Sequence, residues 1–193
     1  MVPLRGSVSV SFCPRCGHRL SEKTIEGRSR RICEQCGYIF YQQLKVGAGV
    51  IIERDGAILL MRRGAGVFPF PGTWCLPAGY CEHDEAPEQT AARETKEETG
   101  LDVAIGDLFG IFFFDDDPRG NGIQIVYRAT VIGGELREDG TEADTLAYFR
   151  PEELPQSLAG GGHDQAILAW KASRFLPGLL DCDTDEDTDE YEQ

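Results

Sequence analysis

No apolar run in the 193-residue sequence approaches the roughly 18 to 20 residues that a membrane-spanning helix requires. The first residues also lack the charged segment and apolar core of a secretory leader. From these two absences we expect a cytoplasmic protein without a membrane partner. A hydrophobic content of 41% is nevertheless sufficient for a packed core.

Basic residues are scarce outside the first quarter of the chain, and the formal net charge is −14. Residues 1–45 contribute +5, residues 46–180 contribute −11, and residues 181–193 contribute −8. Affinity for duplex nucleic acid comes largely from Lys and Arg side chains that neutralise phosphates. The acidic body therefore argues against a duplex nucleic acid partner, and an anionic substrate would require a metal ion.

Composition divides the chain into three segments. Residues 1–45 contain four of the seven cysteines, whereas residues 46–180 are long enough to enclose a core of their own. Residues 181–193 contain eight acids and too little apolar surface to become ordered by burial. We expect a small amino-terminal module, a larger globular domain and a disordered acidic tail, in that order.

The amino-terminal module contains two Cys-x-x-Cys pairs, which are formed by Cys13, Cys16, Cys33 and Cys36. An odd cysteine total with this spacing favours metal ligation over a disulfide framework. Four thiolates complete the tetrahedral shell of Zn²⁺ and leave no open position, so the ion would be structural. Residues 1–45 thus look like a zinc ribbon, with a disulfide pair or an iron centre as the alternative.

The segment between the two cysteine pairs is basic. Its four positive charges are those of Lys23, Arg28, Arg30 and Arg31. Because no aromatic side chains alternate with these charges as platforms for bases, we favour packing on the neighbouring domain or a dimer mate over nucleic acid binding. After the second pair, Tyr38, Phe40 and Tyr41 are expected to anchor the ribbon onto the next domain.

Residues 79–101 contain an unusual concentration of carboxylates. Glu94, Glu97 and Glu98, here termed the glutamate triplet, are spaced i, i+3 and i+4, so in a helix they rise from one face. Like charges at this spacing destabilise a helix by roughly 0.2 to 0.5 kcal/mol per pair. Mg²⁺ or Mn²⁺, which prefer oxygen ligands, would remove the repulsion, so the spacing predicts a divalent metal site.

The same segment resembles the signature of the Nudix hydrolase family. That signature is a glycine, five residues, a glutamate, seven residues and then Arg-Glu-hydrophobic-x-Glu-Glu-x-Gly-hydrophobic. The glycine here is Gly79, the first glutamate is Glu85, and the second half begins at Arg93. Thr95 occupies the hydrophobic position, where it is expected to affect packing more than chemistry.

The resemblance implies roles for the motif residues. The glutamate triplet would bind Mg²⁺ or Mn²⁺ as catalytic ligands, and Arg93 with Glu85 would fix the helix against its preceding loop. Gly79, which has no side chain, would make the conformation of that loop possible. The general base stays open between a glutamate of the motif and Glu142, which lies in a later loop.

Substrate contacts are expected from two neighbouring stretches. Arg62 and Arg63, at the end of a predicted strand, could grip phosphate, with an exposed strand-end pair as the alternative. Phe68 and Phe70 lie in the following glycine- and proline-rich loop, which either faces the substrate or is a stiff connector. His163, beside a predicted helix start, is given little catalytic weight.

The resemblance covers about residues 46–155 and implies an α/β fold. The expected architecture is the Nudix α/β/α sandwich around a mixed sheet, in a domain at residues 46–180 that follows the zinc ribbon. Hydrophobic patterning predicts strands at residues 46–53, 57–63, 106–114, 123–132 and 146–150, and helices at residues 87–99 and 164–176. The last helix would be amphipathic through Ile167, Leu168 and Trp170.

A zinc ribbon before a Nudix domain resembles NADH pyrophosphatases, which also act on NAD-capped RNA, but their Ser-Gln-Pro-Trp-Pro-Phe-Pro motif is absent. The chain more nearly resembles ribbon-bearing bacterial Nudix hydrolases and plant FAD or ADP-ribose pyrophosphatases. We therefore predict metal-dependent hydrolysis of the pyrophosphate bond in a nucleoside diphosphate linked to another moiety. ADP-ribose, FAD or NADH would be the small-molecule substrate, and a nucleoside monophosphate would be one product.

Two alternatives stay open. One is a pyrophosphohydrolase that removes damaged nucleoside triphosphates, and it would release pyrophosphate. The other is a regulator without catalytic activity that senses a nucleotide and uses the ribbon to contact RNA or protein. The intact motif argues against the second alternative. The family resemblance also suggests a homodimer.

Overall fold

The computed structural model describes residues 10–175. The strands are β1 (Ser21–Ile25), β2 (Arg28–Ile32), β3 (Ile39–Phe40), β4 (Lys45–Arg54), β5 (Ala57–Arg63), β6 (Trp74–Cys75), β7 (Ala78–Tyr80), β8 (Leu101–Phe114), β9 (Gly122–Gly134) and β10 (Ala143–Phe149). The helices are α1 (Pro87–Thr99) and α2 (His163–Phe175), and a 3-10 turn covers Pro151–Glu153. The acidic tail expected at residues 181–193 lies outside the described residues. Within these, no helix combines the length and the apolar character needed to cross a membrane.

The amino-terminal module is a three-stranded antiparallel sheet in the order β1-β2-β3. All four Sγ atoms of its cysteine pairs lie within 4.8 Å of one another, and the closest pairs are 3.4 to 3.6 Å apart. Tetrahedral Zn²⁺ at its usual distance from sulfur would place the sulfurs about 3.8 Å apart. The cluster therefore fits a structural zinc ion. Gly17 and Gly37 adopt φ values of 75° and 72° in the two turns, a conformation that glycine favours.

The aromatic residues after the second cysteine pair contact the ribbon itself. Tyr38 and Phe40 pack against the ribbon's own core of Cys13, Leu20 and Cys33. Tyr41 is half exposed, and the Arg30 guanidinium lies 4.5 Å from its ring centroid. Tyr38 and Phe40 thus complete the small core of the ribbon, and the expected anchoring to the next domain stays a prediction.

The main sheet has the strand order β10-β5-β4-β9-β8. Its central pair, β4 and β9, is parallel, with Lys45 opposite Gly122 and Ile52 opposite Ala129. The other pairs are antiparallel. The prediction of a mixed sheet is confirmed.

The two helices cover opposite faces of this sheet. Successive residues of a strand point to opposite sides, so neighbouring residues of β4 pack against different helices. Val50 and Ile52 of β4 belong to the buried cluster that includes Ala91 of α1. Ile51, between them, belongs to the cluster that includes Trp170 of α2. The expected α/β/α sandwich is therefore confirmed.

A cleft opens where β4 and β5 diverge. These strands pair next to their turn, where Glu53 lies opposite Ile58. Beyond that point β6 pairs with β5 and β7 pairs with β4, so residues 74–80 lie between the two strands. The inserted segment leads directly into the loop before α1, and it therefore places the motif helix beside the cleft.

Some element boundaries differ from the sequence prediction. Strand β8 already begins at Leu101, and β10 begins at Ala143, so both are longer than expected. In α2, Ile167 and Trp170 are fully buried, whereas Leu168 is 53% exposed. The expectation that Leu168 faces the core is wrong, because a helix turns by about 100° per residue and carries position 168 away from the sheet. The expected last residue of α2 lies outside the described residues.

We expect Cys33→Ser to remove the zinc ion and unfold the ribbon while leaving the hydrolytic chemistry largely intact. Cys33 is fully buried in the ribbon core, and a small module held by a metal ion loses its fold when a ligand is lost. Zinc content and protease sensitivity of residues 10–42 would be measured beside turnover, with Cys81→Ser as control. Loss of turnover with unchanged zinc content and folding would contradict a structural role.

Candidate active site

Helix α1 begins and ends where its sequence favours a helix boundary. Pro87 occupies the first turn, and the Ala86 N–H donates to Oε1 of Gln89 at 2.9 Å. Because Ala86 has no side-chain acceptor for the N–H groups of the first turn, this bond satisfies only the N–H of Ala86 itself. Gly100 terminates the helix at φ 73°, with its N–H donating to the Lys96 carbonyl at 3.0 Å. The bounds of α1 match the prediction of a helix at residues 87–99.

Thr95, at the motif's hydrophobic position, is fully buried. Its hydroxyl donates to the Ala91 carbonyl at 2.7 Å, and the Thr99 hydroxyl donates in turn to the Thr95 carbonyl at 2.6 Å. Hydroxyls that bond back to the preceding helical turn need no other partner in the core. The polar substitution is therefore accommodated inside the helix.

Arg93 and Glu85 form a bidentate pair between α1 and the loop before it. Nε and Nη2 of Arg93 donate to the two Glu85 oxygens at 2.7 and 2.8 Å. Glu85 also accepts from the Thr90 hydroxyl at 2.8 Å. The hydrogen bonds from Arg93, followed by that from Thr90, lower the pKa of Glu85 to about 2. The pair thus stays ionised at neutral pH and holds the loop against the helix.

The glutamate triplet occupies three environments. The Glu98 carboxylate is buried and accepts from the Ala78 N–H at 2.9 Å, whereas Glu97 is mostly exposed. Nη1 of Arg93 donates to Glu94 at 2.7 Å and to Glu97 at 3.2 Å. Burial raises the pKa of Glu98 well above its usual value and also raises the pKa of Glu94.

The triplet therefore shares a helix face, as predicted, without converging on one point. Among residues 10–175, three or more potential metal ligands come within binding range of one another only at the four ribbon cysteines, and not at the triplet. In the triplet, the Arg93 guanidinium occupies the position between Glu94 and Glu97. This cation offsets part of the like-charge repulsion that the spacing predicts.

Gly79 allows the closest approach between β7 and α1. A Cβ atom built at this position would overlap the Glu94 carboxylate. Since any larger residue would displace Glu94, the glycine of the motif is required for this contact. The sequence predicts that Gly79 makes the loop possible, and the structure identifies Glu94 as the side chain that needs the space.

A cavity of about 280 Å³ lies beside the cleft. It is lined by Arg63, Pro69, Phe70, Ala78, Gly79, Tyr80, Glu82, Glu94, Phe114, Asp117, Arg119, Gln124, Glu142, Ala159, Gly160, Gly161 and His163. Acidic, basic and aromatic side chains thus meet in one concave site, the usual arrangement of a small-molecule site.

The cavity brings together some of the predicted site residues. Arg63, Phe70, Glu94 and Glu142 all line it, although they come from four separate parts of the chain. Arg62 instead pairs with Asp144 at 2.7 Å. Phe68 is 65% exposed and does not line the cavity, and neither do Glu85, Arg93, Glu97 and Glu98.

Sequence reasoning missed a buried polar group at the cavity wall. Asp117 is 2% exposed, accepts from the Tyr80 hydroxyl at 2.8 Å, and pairs with Arg119 at 2.8 Å. Burial opposes ionisation, but the hydrogen bonds from Arg119 and Tyr80 lower the pKa of Asp117 below its usual value. The sequence has three successive aspartates before Pro118, which indicate a turn but do not show which aspartate is buried.

Two further cavity residues were missed, Gln124 of β9 and His163 of α2. Gln124 is 5% exposed, and its Nε2 has no hydrogen-bond partner among the described residues. The same holds for Nδ1 of His163. Little catalytic weight was expected for His163 from the sequence, and the structure places it on the cavity wall. The alternation of β9 would have placed Gln124 on a buried face.

Comparison with known families agrees with this geometry. The model of the NUDIX domain matches residues 43–171, and the model described as Nudix N-terminal, a zinc ribbon, matches residues 11–42. Together these matches cover almost all of the described residues.

Among curated proteins, the chain is 39% identical to an ADP-ribose pyrophosphatase of Methanocaldococcus jannaschii over 80% of this chain and 88% of that protein. It is 29% identical to the NAD-capped RNA hydrolase NudC of Pseudomonas aeruginosa over 75% of this chain. That alignment spans only 49% of the NudC protein. The similarity to the first relative therefore extends over nearly its whole length, and the similarity to the second does not.

Among solved structures, a NUDIX hydrolase from Nitrosomonas europaea superposes with a TM-score of 0.73 at 30% identity, over 86% of this chain and 93% of that one. An ADP-ribose pyrophosphatase from Streptococcus suis gives a TM-score of 0.54 at 27% identity, over 68% of this chain and 93% of that one. The fold described above is thus shared with known hydrolases of this type.

We expect Gly79→Ala to lower kcat/KM about 100-fold with little change in thermal stability, because a displaced catalytic group costs rate more than folding energy. The added Cβ would push the Glu94 carboxylate, the flexible end of a side chain, out of its position. Steady-state kinetics with Mg²⁺ and a melting curve would test this. Gly66→Ala is the matched control, since a Cβ there meets nothing within 4 Å. An equal loss in both variants would contradict the specific contact.

We expect Asp117→Asn to destabilise the protein by about 2 kcal/mol at neutral pH, the typical value of hydrogen bonds to a charged group. The folded-state pKa of Asp117 is lowered, so its contribution is present above the usual aspartate pKa and is lost as pH falls through the folded value. The difference in urea unfolding between wild type and variant should therefore begin to shrink below about pH 4 and vanish only below the lowered pKa of folded Asp117. The exposed Asp115→Asn serves as control; a difference that persists at acid pH would refute the assignment.

Proposed function

The chain belongs to the Nudix family and is a Nudix hydrolase, and from that premise we propose that it hydrolyses the pyrophosphate bond of ADP-ribose or a similar nucleoside diphosphate with a divalent metal ion. The observation that carries this proposal is one cavity lined by Glu94, Glu142, Arg63 and Arg119. Carboxylates suit a cation, and guanidinium groups suit the phosphates of the substrate. The M. jannaschii relative, named an ADP-ribose pyrophosphatase, supports this choice of substrate.

Glu94, Glu97 and Glu98 would hold Mg²⁺ or Mn²⁺. All three offer oxygen ligands. The Glu94 carboxylate occupies a space that exists only because Gly79 has no Cβ atom. When bound, the ion neutralises charge on the phosphoryl oxygens and lowers the pKa of coordinated water. Arg93 can stay on Glu85 through Nε and Nη2, because its contacts to Glu94 and Glu97 use only Nη1.

Glu142 is the general base in this proposal. It lines the cavity and lies in a turn that Asp139 organises by accepting the N–H groups of Glu142 and Ala143, the latter at 2.8 Å. An ordered turn holds the carboxylate at the cavity wall. Glu142 would accept a proton from the attacking water as its oxygen bonds to phosphorus and the anhydride P–O bond breaks.

Arg63 would bind the substrate phosphates. Its Nε donates to the Pro69 carbonyl at 3.0 Å, which fixes the guanidinium at the cavity wall. Arg119 is similarly fixed by Asp117 and remains 38% exposed, so it can meet a ligand from the open side. Zn²⁺ in the ribbon would have a structural role, since four cysteines leave no coordination position for substrate.

The test is a substrate panel assayed with Mg²⁺ or Mn²⁺. It contains ADP-ribose, FAD, NADH, dinucleoside polyphosphates and nucleoside triphosphates. We expect ADP-ribose to give AMP and ribose 5-phosphate, and Glu97→Gln to lower the rate about 100-fold or more through loss of a metal ligand.

Glu88→Gln, in the first turn of the same helix, provides the matched control and should retain activity. Release of pyrophosphate from nucleoside triphosphates, without cleavage of any diphosphate-linked compound, would instead favour triphosphate hydrolysis. Metal-bound, folded protein that turns over nothing in the panel would refute the proposal as stated.

A further inference from the structure

One part of the cavity wall offers neutral hydrogen-bonding groups. Glu94 comes from α1, whereas Gln124, His163 and the glycines before α2 come from the opposite face of the sheet. Phe70 adds an aromatic ring to the same lining. A substrate that carries a diphosphate and a base needs both a charged region and a neutral one, and this wall supplies the second.

Gln124 lies in a space that two glycines leave open. On β9 it is opposite Gly47 of β4 and Phe112 of β8. A Cβ at Gly47 would overlap the Gln124 amide oxygen, and a Cβ at Gly162 would lie 2.9 Å from its Cβ. The side chain is nine-tenths buried, yet its Nε2 has no partner among residues 10–175. A buried amide donor without a partner costs free energy that a ligand acceptor would recover.

His163 is the first residue of α2 and presents a second unsatisfied nitrogen. Its Nδ1 is buried and has no partner in the described part of the chain, although the residue as a whole is partly exposed at the cavity. Burial, and then the charge of Arg63, lower the pKa of His163 to about 4. The imidazole is therefore neutral at physiological pH and suits an uncharged hydrogen-bonding partner better than a phosphate.

Phe70 forms an apolar surface beside these two groups. A Cβ at Gly160 would lie 2.8 Å from its Cζ, and a Cβ at Gly161 would lie 3.7 Å from its Cε2, so the ring rests on the backbone before α2. Phe70 has a φ of 61°, which is unfavourable for a residue with a side chain. The Thr73 hydroxyl donates to the Phe70 carbonyl at 2.7 Å and supports this conformation.

We propose that Gln124, His163 and Phe70 form the nucleobase site, and that Gln124 selects adenine. The site rests on the proposed function, since it places the base of the same substrate. An amide presents a donor beside an acceptor, and this pair matches the amino group and N7 of adenine, whereas hypoxanthine presents two acceptors on that edge. The ring of Phe70 supplies the apolar contact that every base can make.

The first test measures binding without hydrolysis, by calorimetry with AMP, IMP and ribose 5-phosphate in the absence of added Mg²⁺. We expect wild type to bind AMP about tenfold or more tightly than IMP or ribose 5-phosphate, because hypoxanthine has no donor for the amide oxygen on its N7 edge and ribose 5-phosphate has no base. Gln124→Leu should remove that preference and leave ribose 5-phosphate binding unchanged. Gln165→Leu, an exposed glutamine on α2, should behave as wild type.

Stability of the ligand-free protein gives a second readout. Gln124→Leu replaces an unsatisfied buried amide with an apolar group of similar size, so its melting temperature should equal or exceed that of wild type. If leucine prevents folding, Gln124→Met offers a flexible substitute of similar length. A simple packing role for Gln124 predicts lower stability together with unchanged AMP preference, and that result would overturn the proposal.

The two proposals fail in different ways. Preferential AMP binding that depends on Gln124, in a protein that cleaves no diphosphate-linked nucleotide, would retain the base site and refute the proposed reaction. A different result would be that wild type and Gln124→Leu each cleave ADP-ribose and its hypoxanthine analogue at equal kcat/KM. That result would support the reaction and refute the base site. Equal affinity of wild type for AMP and ribose 5-phosphate would also refute the base site.

Discussion

A hydrogen bond from the Ala78 N–H to the buried Glu98 carboxylate connects the two parts on which the site depends. Ala78 begins β7, which lies in the opening between β4 and β5, and Glu98 lies in the last turn of α1. The bond therefore sets how the motif helix lies on the sheet. On the preceding turn of the helix, Glu94 lies against Gly79. Ala78, Gly79 and Glu94 all line the cavity beside this junction.

Charge is distributed so that acidic and basic groups reach the cavity from different elements. Glu94 comes from α1 and Glu142 from the loop before β10, whereas Arg63 ends β5. Asp117 and Arg119 come together from the loop after β8. Each of these arginines is fixed by an acceptor from the protein, Pro69 for one and Asp117 for the other. A net negative body can thus attract an anion locally, because short-range geometry outweighs the screened overall charge.

Much of this arrangement could be predicted from the sequence. Pro87 and Gly100 delimit α1 through local backbone preference, and apolar runs predict β4, β5 and β9. Strands β6 and β7 are too short for periodicity to detect, so the division between β4 and β5 could not be foreseen.

The site residues likewise divide into those that local patterns predict and those that depend on tertiary packing. The motif spacing indicates which glutamates share a face, since that depends only on helical geometry. Local patterns cannot show that Arg63 lines the cavity while Arg62 pairs with Asp144, or that Gln124 and His163 line one cavity, because these arrangements depend on the packing of distant elements. The cavity also has two separate walls: α1 carries the glutamates to which we assign the metal ion, and β9 and α2 line another wall. If that assignment holds, changes on one face would alter ligand choice while the reaction machinery is inherited unchanged.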